Sequence, residues 1–141
     1  MSRTPWRQVN PEDLPDPIGY SNAIVTSGGR RVVIAGQTAL GQDHKIQHFG
    51  DLVGQTRVIF ENIAKILKEA GARPEHLVRM RIFVMSATAY ADNAREIGIL
   101  YRQHFGKWFP AMTLVEINRL YDEGALIEIE SAAVIPDDET L

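Results

Sequence analysis

Glu128 and Glu130 stand two apart in the run LIEIESAAV, residues 126–134. In a strand alternate residues point to the same side, so the two carboxylates share a face at roughly 7 Å. Carboxyl groups so placed raise one another's pKa, and partial burial raises them further, toward the range in which they move protons at neutral pH. The same pattern also describes a solvated strand face whose acids pair with Arg79 and Arg81 on a neighbouring strand. Pattern alone leaves both readings open.

The other reactive side chains narrow the chemistry. His44 and His48 lie four apart beside Asp43, but the segment 41–50 reads as a loop with no third ligand at motif spacing, so no metal site is assigned. Histidines of that kind are usually surface residues, and His104, next to Phe105, reads as a residue packed at a helix boundary. There are no cysteines, which excludes disulfides, a thiolate nucleophile and thiolate-held metals. No G-x-S-x-G elbow is present, and Gly28-Gly29 lacks the spacing of a phosphate-binding loop. Tyr20 is either a site phenol or an aromatic lid on the first strand.

The elements that would position these residues follow from periodicity. Leu52, Ile59, Ile63, Ile66, Leu67 and Ala70 recur at helical spacing before Gly71, which predicts a helix over 52–70. A second helix is expected over 91–105, ended by Gly106. Strands are expected at 24–27, 31–35, 77–85, 113–119 and 125–134, with Gly28-Gly29 turning the first two into an antiparallel hairpin. The order β-β-α-β-α-β-β predicts an α+β domain whose two helices cover one face of a mainly antiparallel sheet. Residues 1–19, with four of the seven prolines and Trp6, read as an extended arm; 20–136 form the single domain and 137–141 a tail.

Strand parity predicts what lies on the other face. Met80, Ile82 and Val84 fall on one side with Ile127, Ile129 and Ala133; Arg79, Arg81, Phe83 and Met85 fall on the other with Glu128, Glu130 and Val134. The first row belongs under the helices. The second mixes charge with too much apolar surface to lie open to water, so self-association is expected. With 141 residues, 45% hydrophobic, 23% charged and a net charge of -3, the chain has the composition of an ordinary globular domain. Its scattered cations give no footprint for nucleic acid, and neither a signal peptide nor a membrane span is expected, which fits a cytoplasmic location.

The stretches PIGYSNAIV, VVIAGQTAL, GQTRVIFENIAKILKEAGA, HLVRMRIFV, YRQHFGKWFPAMTLVEINRL and LIEIESAAV follow one another over residues 17–136. Together they resemble the Rid family, also called YjgF/YER057c/UK114. That resemblance implies a chorismate-mutase-like fold, a homotrimer with clefts between subunits, and hydrolysis of reactive imines or enamines without a metal or organic cofactor. It further implies that Glu128 orients water, that Tyr20 lines the cleft, and that Gly36 with Gln37 forms its Gly-Gln turn. Phe83, Thr113 and Leu114 fall among the substrate-binding positions, with Leu114 where the family often has cysteine and Gly98 where it has asparagine.

Met112 falls where the family's active deaminases carry the arginine that clamps the substrate carboxylate. A thioether offers no charge, and losing such a pair costs about 1.5 to 3 kcal/mol, roughly one to two decades in affinity. The sequence therefore resembles an arginine-less subgroup whose substrate is less anionic than 2-aminoacrylate. Met112 and Phe83 are expected to form an apolar wall, and Arg81 either replaces the missing clamp or pairs with Glu130. The alternative is a non-catalytic trimer that holds a small molecule or a partner in the same cleft, an adaptable use of methionine.

Overall fold

The computed structural model describes residues 5–139; the first four residues of the arm and the last two of the tail lie outside them. The chain runs β1 (Arg7–Val9), β2 (Ala23–Val25), β3 (Arg30–Gln37), α1 (Leu52–Glu69), β4 (Leu77–Val84), α2 (Ala87–Asp92), α3 (Ala94–Phe105), β5 (Ala111–Glu116) and β6 (Ile127–Ile135). It is an α+β fold with a four-stranded sheet ordered β3-β6-β4-β5, antiparallel except for the parallel pair β4-β5. No helix among the described residues is long and apolar enough to cross a membrane.

Two local expectations are corrected. The hairpin expected around Gly28-Gly29 does not form: β2 pairs with β1, inside the arm, while β3 pairs with β6. Both glycines turn the chain at positive φ, as required, but Gly29 packs against Ile135 and leaves no ladder between its flanks. The second helix is two, broken at Asn93, whose side-chain amide donates to the Ala89 carbonyl and closes α2 before α3 begins.

The core lies between the sheet and the helices. Ile59, Phe60, Ile63 and Leu67 of α1 and Ile97, Tyr101 and Phe105 of α3 are buried over Met80, Ile82, Val84, Ile127 and Ile129. α1 starts where the Asp51 carboxylate accepts the Gly54 N–H at 2.9 Å. One residue of α1 does more than pack. Gln55 is fully buried, donates to the carbonyls of His48 and Gly124 and accepts the Leu126 N–H, tying α1 to both loops that flank the sheet. In the arm, the Trp6 indole N–H donates to the Val134 carbonyl at 3.0 Å, which fastens the segment carrying β1 onto the end of β6.

The opposite face of the sheet carries no helix. Val33 is 83% exposed there, beside Ala132, and Phe83, Met85 and Val115 are partly or largely exposed. The alternation in β4 and β6 is the one that the sequence predicts.

Candidate functional site

β3 departs from its ladder where the site begins. Ile34 pairs with Ser131 and Gln37 with Ile129, so three steps on β3 oppose two on β6 and the strand bulges at Ala35 and Gly36. The bulge brings the Gly36 backbone onto the side chain of Glu128, so closely that a Cβ at position 36 would overlap Glu128 Oε2. Gly36 has an ordinary φ; it is glycine for space, not for conformation. Gln37 turns its amide back onto the Ala35 carbonyl.

Glu128 stands opposite Phe83 on the helix-free face and is partly buried. Its pKa is raised, first by burial and then by the charges of Asp122 and Glu130. Asp122 is held in place by the Thr38 hydroxyl, which donates to it at 2.9 Å. The sequence marks Asp122 only as part of a polar loop, because its proximity to Glu128 is set by chain closure and not by any local pattern. Glu130 is engaged differently: Arg81 donates to it at 2.8 Å on the exposed surface. Of the two roles open to Arg81, the structure has the pairing with Glu130.

The second group of site residues lies across the sheet. β5 runs parallel to β4 with Met112 beside Met80 and Leu114 beside Ile82, both of which point under the helices. Thr113 sits beside Arg81 on the helix-free face. Within one copy Met112 and Phe83 occupy opposite faces, so the expected wall between them does not form inside a single chain; the parity of β4 was legible but its register with β5 was not. Met112 and Leu114 instead share a cavity of about 310 Å³ with Tyr20, Tyr90 and Ile82. Tyr20 is brought there by the neighbouring Ser21, whose backbone bridges to Ala111 and whose hydroxyl donates to the Phe109 carbonyl at 2.6 Å.

The site residues thus fall into two half-sites, an acid on the helix-free face and an apolar cavity at the β5 edge, which one copy of the chain does not join. Among the described residues no group of three or more histidine, aspartate or glutamate side chains is close enough to hold a metal ion. His44 and His48 occupy positive-φ turn positions in the loop before α1.

The chain and its fold are similar to known proteins. The family model described as Endoribonuclease L-PSP matches residues 12–135. The chain is 34% identical over 123 residues to a RutC family protein of Pyrococcus abyssi, covering 86% of this chain and 91% of that protein. It is 31% identical over 130 residues to the 3-aminoacrylate deaminase RutC of Acinetobacter baylyi, covering 92% of this chain and 98% of that one. Its fold is similar to the crystal structure of YyfB from Yersinia pestis, a protein of unknown function of the conserved Rid family, with a TM-score of 0.81, 32% identity and coverage of 93% and 99%.

Proposed function

The chain belongs to the Rid (YjgF/YER057c/UK114) family, and on that premise we propose that it is a hydrolase of a reactive imine or enamine, working in clefts between the copies of a homotrimer. The observation that carries this reading is the Glu128 carboxylate, seated over Gly36 with its pKa raised by burial and by neighbouring acids. A carboxylate so tuned accepts a proton from water as the oxygen adds to the imine carbon and returns it to the nitrogen, giving a carbinolamine; it then relays the carbinolamine's hydroxyl proton to the same nitrogen as the C–N bond breaks, so that ammonia leaves and a carbonyl remains. No external oxidant or reductant enters the balance.

Association supplies what one copy lacks. The helix-free face that bears Glu128 is apolar enough to be covered, and covering it with the β5 edge of a second copy would bring Tyr20, Met112 and Leu114 toward the acid. Because Met112 cannot grip a carboxylate as arginine does, 2-aminoacrylate is not the expected substrate. The apolar cavity also suits a trimer that binds without turning over, and one experiment separates the two. Ammonia release from imines generated in situ by an amino-acid oxidase, with catalase present, is measured for wild type and Glu128→Gln. The hydrolase reading expects release faster than the spontaneous rate in wild type and a loss of about 10²-fold or more in the variant. Equal rates in both proteins would overturn it.

A further inference from the structure

The cavity at the β5 edge extends beneath α3 into a volume of about 330 Å³, within the range of small-molecule sites. Its floor and walls are aromatic and aliphatic: Phe60, Tyr101 and Phe109 with Met80, Ile97 and Met112. Tyr101 is not a free polar group, since its hydroxyl donates to the Trp108 carbonyl at 2.6 Å. One cation borders the cavity. Arg102 is exposed and, like the other described arginines except Arg73 and Arg81, forms no salt bridge among the described residues.

Gly98 explains how Arg102 reaches the cavity. The two are four apart on α3, hence on one face. Arg102 Nη1 lies 3.4 Å from where a Cβ at Gly98 would be, so the guanidinium lies back along the helix over the glycine. A side chain longer than a methyl group at position 98 would take the space that the guanidinium occupies. Glycine within a helix is unfavourable by about 1 kcal/mol relative to alanine, so its presence here calls for a reason of this kind.

We infer that Arg102, given room by Gly98, is the carboxylate-binding residue of this cleft, and that the cleft takes a 2-imino or 2-keto acid with an aromatic or bulky apolar side chain. The inference rests on the hydrolase reading for the identity of the reacting group, and it replaces the expectation of a less anionic substrate. The charge is gripped from α3 instead of β5. Met112 then serves as wall for the side chain, and a substrate as small as 2-aminoacrylate leaves the aromatic part of the cavity unfilled.

Equilibrium binding to the full chain tests this independently of turnover. Phenylpyruvate is titrated calorimetrically against wild type, Arg102→Gln and Gly98→Asn, with phenylacetone, the same ketone without its carboxylate, as the neutral probe and 2-oxobutyrate as the small one. Wild type is expected to prefer phenylpyruvate to 2-oxobutyrate by at least about tenfold. Arg102→Gln is expected to lose roughly 10- to 100-fold for phenylpyruvate and nothing for phenylacetone. Gly98→Asn is expected to weaken phenylpyruvate while leaving the circular dichroism unchanged. Equal phenylpyruvate affinity in wild type and Arg102→Gln, or no binding to wild type, overturns the inference. Unaltered turnover in Glu128→Gln overturns the hydrolase reading and leaves the carboxylate clamp standing.

Discussion

Removing the charge at Glu128 separates its effect on the fold from its effect on turnover. Burial and the nearby Asp122 and Glu130 raise its pKa, so the folded chain favours the protonated form. A raised acid contributes stability below the ordinary carboxylate pKa and loses it as pH rises through the folded-state value. Glu128→Gln is therefore expected to be more stable than wild type at pH 7, by less than about 1 kcal/mol given solvent screening, and equal to it near pH 3. Thermal melts at the two pH values check this. The same field sets the pH profile: if ionised Glu128 activates water, the acidic limb of kcat lies above the ordinary carboxylate range. Asp122→Asn removes a like charge and moves that limb to lower pH. The pairing of Glu128 with Glu130 was legible from spacing, yet the group that tunes it, Asp122, arrives from a loop and carries no periodic signal. Gly36 is the companion case. Gly36→Ala is expected to destabilise by about 1 to 3 kcal/mol, and combining it with Glu128→Ala to recover part of that loss, as denaturant unfolding of the double-mutant cycle would measure.

At the scale of elements, Gln55 is where side-chain chemistry holds α1 to the sheet. Replacing it with leucine keeps the volume but strands two carbonyls and one N–H, and is expected to lower stability by at least about 3 kcal/mol in urea unfolding. Long periodic segments such as α1, and alternating ones such as β4 and β6, were readable because their burial repeats within the segment itself. The β2–β3 connection was not. Two glycines at positive φ define a turn, but which strand pairs with which is settled by distant partners: β1 for β2, β6 for β3. The face on which Met112 lies was not readable for the same reason. Its face depends on a parallel register with β4, set across a crossover of two helices, and one slip of register moves every side chain to the other face. Arg102 and Gly98 had an i, i+4 spacing in plain sight, but only the cavity beside them gives that spacing a use.

At the scale of the whole molecule, the proposed cleft depends on the helix-free face being covered by a second copy. Val33, on the edge strand β3 opposite Ala132 of β6, is 83% exposed there. Val33→Glu puts a charge into the surface proposed to be covered, and is expected to turn a sedimenting trimer into monomer and to abolish turnover while Glu128 and Arg102 remain intact. A variant that stays trimeric, or a monomer that keeps full activity, would remove the shared cleft from the account.

An acid on one face and a cavity at the far edge have a genetic consequence. In the shared cleft proposed above, two impaired alleles, one lacking the Glu128 carboxylate and one lacking the Arg102 guanidinium, would each spoil a different half. Co-expressed in equal amounts and assembled at random, they leave roughly a quarter of the clefts with both halves sound. Each allele alone would be impaired, and the mixture would recover part of the activity.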